Sequence, residues 1–326
     1  MAQIIFLTGS TGFIGYNIAR QLLKTGYTVR MLTRTDNHIL VHENAEYVSG
    51  DIRNYEDVRK SMKGCNIVIH TAGLFTFDTS LRNDIYETNV TGTENICKAV
   101  VENKPERFIY TSSAATIGKD KDYKCLSNEN TKFNLWKISS HYKKSKVLAE
   151  EIVLRYYMEY AIPVVILNPS LPLGAYDFKP TSTGMMIKSF LNSSMKMYIN
   201  GGFNFVHVND VAKAHILALQ RGRTGQKYII GNENLLLKEF YQKLLKYKPD
   251  TKIKQVPYFV ALLGAWVAVM FGFLTKKQPA VTPRGVQLSG KKMFYDTSKS
   301  QEELGIKYTS VDEAIKDSVN WFMNNK

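Results

Sequence analysis

The sequence predicts an α/β protein with a doubly wound parallel sheet and a smaller, mostly helical second domain towards the C-terminus. Over the first half of the chain, short apolar runs alternate with segments of helical spacing, a pattern typical of repeated βαβ units. A glycine-rich turn follows the first apolar run, and the regular alternation ends at Pro169. With 326 residues and 44% hydrophobic content the chain can bury a large core, which excludes wholesale disorder.

Each predicted element has its own signal. A strand is predicted where a short apolar run ends at turn residues, and a helix where apolar residues recur every three or four positions. The predicted strands cover residues 4–7, 27–33, 46–49, 66–70, 107–111 and 164–167. The predicted helices cover residues 12–24, 55–62, 84–103 and 142–157. Beyond Pro169 we expect a strand and a helix over 205–221, and a lysine-rich helical stretch from about Leu235.

Charge and cysteine content restrict the function classes. Lys and Arg number 43 against 29 Asp and Glu, a formal net charge of +14, so an anionic partner is expected. The three cysteines, Cys65, Cys97 and Cys125, are widely spaced, which argues against a disulfide scaffold and a cysteine-based zinc site. The first residues lack the basic and apolar leader of a secreted protein. We therefore expect a cytoplasmic protein without a bound metal.

A glycine-rich turn, Thr8-Gly9-Ser10-Thr11-Gly12-Phe13-Ile14-Gly15, follows the first predicted strand. In this TGxxGxxG pattern the first glycine permits a tight turn, the second lets the backbone approach a pyrophosphate, and the third lets the helix pack against the sheet. The helix N-terminus adds N–H donors and the positive end of a dipole. The turn predicts a Rossmann-type dinucleotide site that includes Thr8, Gly9, Thr11, Gly12, Phe13, Ile14 and Gly15.

The residue that follows the second predicted strand bears on the choice of cofactor. Sites of this type that bind NAD place an acidic residue about 20 positions on, where it bonds the ribose 2′-hydroxyl. This chain has Arg34 there, and a guanidinium can pair with the 2′-phosphate of NADP. The sequence therefore favours NADP, while Asp36, two residues further on, leaves NAD open.

Two groups of polar residues indicate hydride-transfer chemistry. Tyr142-x-x-x-Lys146 lies on a predicted helix, where the i,i+4 spacing puts both side chains on one face. A nearby ammonium favours the phenolate and lowers the pKa of the tyrosine towards a range useful for proton transfer. Tyr110-Thr111-Ser112-Ser113 ends a predicted strand at the edge where open α/β sheets bind ligands. A hydroxyl there can hydrogen-bond a substrate carbonyl.

Seven motifs, taken in order, resemble those of the extended short-chain dehydrogenase/reductases over nearly the whole chain. They are TGSTGFIG at 8–15, GDI at 50–52, HTAG at 70–73, NVTGT at 89–93, YTSSAATIG at 110–118, YKKSKVLAE at 142–150 and NP at 168–169. The resemblance implies a catalytic set of Ser113, Tyr142 and Lys146, with Tyr142 as general acid/base and Lys146 at the nicotinamide ribose. It implies Asn89 as a supporting polar residue. The further cofactor residues that it implies are Asp51 and Ile52 at the adenine, and Thr71, Ala72, Gly73, Asn168 and Pro169.

The stretch NFVHVNDVAKA at 204–214 resembles dihydroflavonol-reductase-like and hopanoid-associated sugar-epimerase-like members of the family, which also includes 3β-hydroxysteroid dehydrogenases. Sugar-nucleotide members carry an arginine just before this strand that clamps a diphosphate, whereas this chain has Phe203-Asn204. We expect an NAD(P)-dependent oxidoreductase that reduces a carbonyl or oxidises a secondary alcohol on an apolar or polycyclic small molecule. The alternatives are a sugar-nucleotide epimerase or dehydratase with tightly bound NAD, and a non-catalytic dinucleotide-binding regulatory protein. His207 is expected to be a partnered core residue.

The domain prediction follows from these motifs. Residues 1–168 with about 203–232 form the dinucleotide-binding domain, and about 169–202 with 233–326 form the substrate domain. In the second domain, Gln255–Thr275 carries no charge and Tyr258–Leu274 is almost wholly apolar, with lysines on both sides. This run predicts a helix buried over an apolar substrate, a helix at a membrane interface, or a bilayer span. The dispersed lysines argue against a nucleic-acid partner, and the resemblance implies a homodimer through the two long helices.

Overall fold

The computed structural model describes residues 3–35, 40–76, 78–119, 126–275 and 282–325, with the side chains of 273–275 left out. Asp36 and Cys125 lie outside these residues. The strands, in chain order, are β1 (Ile4–Thr8), β2 (Thr28–Thr33), β3 (Ala45–Ser49), β4 (Ile67–His70), β5 (Arg107–Thr111), β6 (Val164–Pro169), β7 (Leu171–Leu173), β8 (Met195–Tyr198), β9 (Gly202–His207), β10 (Lys227–Ile230), β11 (Glu233–Leu236), β12 (Lys252–Gln255) and β13 (Lys292–Met293).

The α-helices, in chain order, are α1 (Phe13–Lys24), α2 (Tyr55–Met62), α3 (Arg82–Tyr86), α4 (Gly92–Asn103), α5 (His141–Tyr160), α6 (Ser182–Leu191), α7 (Val208–Arg221), α8 (Leu237–Leu244), α9 (Tyr258–Thr275), α10 (Pro283–Ser289), α11 (Ser298–Leu304) and α12 (Val311–Asn324). A π-helical turn, Glu87–Thr91, joins α3 to α4.

Seven parallel strands form the large sheet, in the order β10-β6-β5-β4-β1-β2-β3. Successive side chains of a strand point to opposite faces, and β1 shows why its apolar run is continuous. Ile5 and Leu7 pack into the core under α1 and α7, while Phe6 packs into the core under α2, α4 and α5. A strand covered on both faces needs apolar residues at every position. The predicted α/β class with a doubly wound parallel sheet is confirmed.

A smaller four-stranded sheet is built around β9, which pairs with β11 on one edge and with β13 and β7 on the other. A third core, shared by α6, α8 and α12, packs against β9. Within residues 203–232, β9 belongs to this small sheet whereas β10 belongs to the large one. The division of the chain into two domains at the boundaries given above stays a prediction.

Two predicted elements differ from the structure. The helix expected over 84–103 is interrupted by the π-helical turn, where the side-chain amide of Asn89 forms hydrogen bonds with the backbone of Leu74. The helical stretch expected from about Leu235 starts with β11, and only then does α8 begin. In both places a long-range contact, with Leu74 and with β9 respectively, overrides the local helical pattern. His207 is buried and partnered as predicted, since its ring bonds Asp317 and the N–H of Asn209.

The apolar run at 258–274 forms α9, and it is not buried over the core. The helix packs through Ala261, Leu262 and Ala265 against Ile199 and Val286, while its opposite side is exposed. The expectation that α9 is a buried helix is therefore wrong. Across the described ranges, no helix combines the length and apolar character needed to span a bilayer.

Candidate active site

The candidate site lies at the carboxyl ends of the parallel strands, where the segments that follow β1, β4, β5 and β6 meet. This is the edge at which open α/β sheets bind ligands. Within the described part of the chain, no group of three or more His, Cys, Asp or Glu side chains is placed to hold a metal ion. The side chains that meet at this edge carry hydroxyl, phenol, amide, carboxylate and ammonium groups.

The glycine-rich turn has the close approaches that its pattern predicts. Gly9 has a φ of +79°, and a Cβ on Gly15 would lie 2.1 Å from the carbonyl oxygen of Gly9. Only glycine at both positions lets the helix start this close to the strand. The N–H of Gly12 donates to that same oxygen at 2.9 Å, and α1 begins at the next residue.

The turn also leaves polar groups for a ligand. Among the described residues no side chain caps the N-terminus of α1, whose first turn carries no acidic residue. The Oγ atom of Ser10 is buried and has no hydrogen-bond partner within the described ranges. Thr11 is exposed beside it, and Phe13 and Ile14 are partly buried. Free helix N–H groups and an unsatisfied hydroxyl fit a pyrophosphate group, so the residues present fit a dinucleotide.

Hydrogen bonds tie the end of β1 to the end of β4. The Thr71 hydroxyl donates to the carbonyl oxygen of Thr8 at 2.7 Å, and the N–H of Ala72 donates to Thr8 Oγ1 at 3.3 Å. Thr8 Oγ1 also lies 2.7 Å from Nδ1 of His70. Burial lowers the pKa of His70 to about 3, with the charge of Lys146 acting in the same direction. The imidazole is therefore neutral, and this part of the predicted cofactor wall is rigid and uncharged.

Asp51 and Arg34 lie at the ends of neighbouring strands. Burial opposes ionisation of Asp51, but the hydrogen bonds from Arg53 and the charges of Arg53 and Arg34 outweigh it and lower its pKa. Arg53 binds the Asp51 carboxylate through two guanidinium nitrogens, at 2.7 and 3.0 Å. Arg34 is exposed and forms no salt bridge with any residue in the described ranges. Ile52 is buried and packs on Gly92.

Ser113 and Tyr142 come together, as the motifs predict. Ser113 follows the end of β5, where its Oγ accepts the N–H of Ala115 at 3.1 Å. Burial raises the pKa of Tyr142, and hydrogen bonding with the Ser113 side chain opposes that rise. The ring of Phe75 stands edge-on to Tyr142, with 4.8 Å between the ring centroids. The Ser113 hydroxyl and the Tyr142 phenol therefore lie near each other, beside the apolar ring of Phe75.

Lys146 is one helical turn beyond Tyr142 and is buried. Its ammonium donates to the carbonyl oxygen of Thr111 at 2.8 Å and to the phenol of Tyr110 at 3.2 Å. Burial lowers the pKa of Lys146 to about 8, although the carboxylate of Glu150 acts to raise it. The ammonium is thus held against β5, and an effect of Lys146 on the pKa of Tyr142 stays a prediction.

Asn89 holds the backbone around the site. Its Oδ1 accepts the N–H of Leu74 at 2.7 Å, and its Nδ2 donates to the carbonyl oxygen of Leu74 and to Ser145 Oγ. A Cβ on Gly73 would lie 3.2 Å from Asn89 Oδ1. The amide therefore joins the segment after β4 to α5, and a part for Asn89 in the catalytic set stays a prediction.

Glu150 is a site residue whose role the sequence does not reveal. This buried carboxylate accepts hydrogen bonds from Ser112, from Thr116 at 2.8 Å and from Asn168 at 2.7 Å. Lys227 lies 3.3 Å from its other oxygen. The YKKSKVLAE motif contains Glu150, but its partners are distant in sequence and only the fold brings them together.

Asn168 stands where β6 ends, next to Pro169, which is the last residue of the strand. Its Nδ2 also donates to the carbonyl oxygen of Ser113 at 3.2 Å, while its Oδ1 is buried without a partner in the described ranges. The carboxyl ends of β5 and β6 are therefore joined at the candidate catalytic serine, with one amide oxygen left for a ligand.

Comparisons with known proteins place the chain in a family. Residues 5–231 match the model of the NAD dependent epimerase/dehydratase family. The chain is 38% identical to the Synechocystis sp. protein named "Putative dihydroflavonol 4-reductase", over all of this chain and 96% of that protein. It is 26% identical to a 3-beta-hydroxysteroid dehydrogenase of Mycolicibacterium neoaurum, over 92% of this chain and 86% of that protein.

Among solved structures, the crystal structure of gox2253 is similar to this chain with a TM-score of 0.85 and 33% identity, over 99% of this chain and 98% of that one. A UDP-glucose 4-epimerase of Thermotoga maritima, at 18% identity and a TM-score of 0.78, covers 99% of each chain and shares the fold. The predicted resemblance to the extended short-chain dehydrogenase/reductases is confirmed, and so is the class of NAD(P)-dependent oxidoreductases. The chain belongs to the NAD dependent epimerase/dehydratase family.

Proposed function

We propose that the protein is an NADP-dependent oxidoreductase that reduces a carbonyl or oxidises a secondary alcohol on an apolar or polycyclic small molecule. The observation that carries this proposal is the position of the Tyr142 phenol, which lies against the ring of Phe75 and close enough to the Ser113 side chain for that group to lower the pKa of the tyrosine. The relatives named as a dihydroflavonol 4-reductase and a 3-beta-hydroxysteroid dehydrogenase support the same class of reaction.

The residues have distinct roles in the proposed reaction. A nicotinamide, when bound, supplies or accepts the hydride. Tyr142 transfers a proton to or from the substrate oxygen at its phenol, and Ser113 donates a hydrogen bond to that oxygen as negative charge develops. Lys146, whose ammonium bonds Tyr110 and Thr111 of β5, would also bond the ribose in the proposed reaction. Because Ser113 already bonds the phenol oxygen, a substrate oxygen that enters between them would meet both donors.

The cofactor preference is proposed from Arg34. This exposed guanidinium stands beside Asp51, close enough to contribute to the lowered pKa of that carboxyl. Asp51 is already bound by Arg53, whereas Arg34 has no salt-bridge partner in the described ranges. A 2′-phosphate would supply one, and a phosphate binds a guanidinium more strongly than a ribose hydroxyl does. NADP is therefore favoured over NAD.

The apolar substrate is proposed from the side chains near Tyr142 and from the absence of a diphosphate clamp. Phe75, in contact with Tyr142, remains 40% exposed. At the position where sugar-nucleotide members carry an arginine, Asn204 is buried and bonds Asn232 and Asn234. An amide already used within the small sheet offers no charge to a diphosphate. These contacts favour an apolar substrate over a nucleotide sugar.

The test is whether the purified protein consumes cofactor. With a panel of apolar ketones, it should oxidise added NADPH in proportion to the alcohol formed, as followed by absorbance and product analysis. An epimerase or dehydratase would instead keep NAD bound and convert a nucleotide sugar without net consumption. Product formed with bound NAD and no net NADPH oxidation would overturn the proposal.

The proposal also covers the location and assembly of the protein. We expect a cytoplasmic protein that binds no nucleic acid and that forms a homodimer through α4 and α5, the two long helices that follow β4 and β5. We also expect peripheral contact with a membrane through Tyr258–Leu274. Analytical ultracentrifugation of the purified protein tests the dimer, since a single species of 37.1 kDa would contradict it.

A further inference from the structure

The outer side of α9 is a continuous apolar surface. Its residues, which we call the α9 face, are Phe259, Val260, Leu263, Trp266, Val267, Met270 and Phe271. At about 100° per residue they occupy one arc of about 140° around the helix, opposite the side that packs on Ile199 and Val286. Phe259 is 71% exposed, Trp266 56% and Met270 67%. Seven large apolar side chains on one exposed arc form a contiguous apolar patch of the kind that marks an interaction site.

The segment around α9 is basic throughout. From Thr251 to Tyr295 the chain has seven basic residues and no acidic one, which is half of its formal net charge of +14. The basic residues are Lys252, Lys254, Lys276, Lys277, Arg284, Lys291 and Lys292. Charge of one sign beside an apolar helix face is the combination that binds anionic lipid surfaces.

The strand pair that precedes α9 repeats this combination. In the parallel pair β8–β12, Met195 aligns with Lys252 and Met197 with Lys254. All four side chains are exposed. β12 ends at Gln255 and α9 begins at Tyr258, so exposed apolar and basic residues continue from the strands into the helix.

We propose that the α9 face docks on the surface of a bilayer that contains anionic lipids, together with the described basic residues Lys252, Lys254, Arg284, Lys291 and Lys292. A second copy of this chain fits less well, because a symmetric contact would bring the same positive charges against themselves. An interfacial helix lies in the plane of the membrane with its apolar side in the acyl boundary and its basic flanks at the headgroups. The exposed arc of α9 and its basic surroundings have this arrangement.

The docked surface connects directly to the candidate active site. After α9 the chain forms α10 and β13 and then returns to the site, where the Tyr295 hydroxyl donates to the carbonyl oxygen of Ala114 at 2.9 Å. Ala114 is the neighbour of Ser113. The segment that follows α9 therefore contributes a contact beside Ser113. The docking proposal itself does not rest on the proposed function.

The experiment is flotation of the full-length protein with lipid vesicles. The protein should float with vesicles of phosphatidylcholine and phosphatidylglycerol, and bind vesicles of phosphatidylcholine alone more weakly. Met270→Glu should lower the partition coefficient at least about tenfold. The double variant Lys252→Glu/Lys254→Glu should lower the partition coefficient by about fivefold for each lysine charge that it removes. Added salt should weaken binding to the anionic vesicles.

Matched controls separate docking from general effects of charge. Met323 is also exposed, at 54%, and lies on α12; Met323→Glu should leave the partition coefficient unchanged. Lys60→Glu with Lys63→Glu should lower binding to anionic vesicles less than the 252/254 pair does. Equal losses for Met270→Glu and Met323→Glu, or no flotation of the unaltered protein, would overturn the docking proposal. Flotation without any NADPH oxidation would instead contradict the proposed function and leave the docking in place.

Discussion

Replacement of Glu150 by leucine tests how the candidate site is held together. Leucine has a similar size but accepts no hydrogen bond. In the structure the carboxylate accepts bonds from Ser112, Thr116 and Asn168, and its other oxygen faces Lys227. The variant leaves these donors around an apolar side chain. We expect it to destabilise the protein and to loosen the ends of β5 and β6.

The expected loss can be worked out donor by donor. A buried donor without an acceptor costs about 1–3 kcal/mol. Asn168 Nδ2 keeps bonds to Thr116 and to the carbonyl oxygen of Ser113, and Lys227 is partly exposed and can turn to water. Thr116 can donate instead to the carbonyl oxygen of Ser113, at 2.9 Å. Ser112 is the donor that loses its acceptor outright, so the free energy of unfolding should fall by about 1–3 kcal/mol. This is within the total of about 5–15 kcal/mol that a folded protein has, so the variant should still fold.

Urea denaturation of the unaltered protein, Glu150→Leu and Glu150→Gln measures this loss. Glutamine keeps one acceptor oxygen, so it should lose less than half as much as leucine. Glu151 is the exposed neighbour on α5, and Glu151→Leu is the control that should change little. Glu150→Leu should also lower the rate of NADPH oxidation. A stability of Glu150→Leu within about 1 kcal/mol of the unaltered protein would refute the role of this carboxylate.

Three other predictions concern cofactor binding and pH. In a fluorescence titration, Arg34→Ala should weaken NADPH binding about five- to thirtyfold and NADH binding less than about twofold. The control Arg59→Ala, on α2, should change neither affinity. Equal losses for both cofactors in Arg34→Ala would contradict the preference for NADP. Gly15→Ala should abolish dinucleotide binding in calorimetry, because its Cβ would lie 2.1 Å from a backbone oxygen. The Cβ of Gly264→Ala would meet nothing within 4 Å, so this control should bind normally. Normal binding by Gly15→Ala would contradict the assignment of the glycine turn as the dinucleotide site. Burial lowers the pKa of His215 from 6.5 to about 4, so the folded state keeps the ring neutral. The free energy of unfolding should therefore fall as the pH falls below 6.5, by about 2 kcal/mol between about pH 7 and pH 5. In urea titrations at the two pH values, the free energy of unfolding of His215→Gln should fall by about 2 kcal/mol less than that of the unaltered protein. The same fall in both proteins would contradict the buried, neutral state of His215.

The sequence predicts the large sheet well because each strand carries its own signal. The run Ile4–Thr8 is buried on both faces, so its apolar residues are continuous and end at the glycine turn. The turn itself needs glycine for local steric reasons, and it is visible from spacing alone. Ser113 and Tyr142 are also predictable, because each lies in a motif placed at a strand end or a helix start.

Features that depend on distant contacts are not predictable from the sequence in this way. Glu150 looks like an exposed charge on a helix, and only the packing of α5 against β5 and β6 buries it. Lys146 sits one turn from Tyr142, yet its ammonium bonds β5 instead. Almost every position of α9 is apolar, so its sequence alone does not show which side meets the core. The contacts with Ile199 and Val286 determine that side.

The measurement that tests the central claim most directly is the effect of Tyr142→Phe on turnover and on cofactor affinity. Without the phenol proton, NADPH oxidation should fall about 10²–10⁴-fold. The dissociation constant for NADPH, measured by fluorescence, should change less than about twofold, because the glycine turn and Arg34 are untouched. Tyr160→Phe, an exposed change on the same helix, should leave both values unaltered. Lost NADPH binding with retained chemistry in Tyr142→Phe would contradict its role as general acid/base.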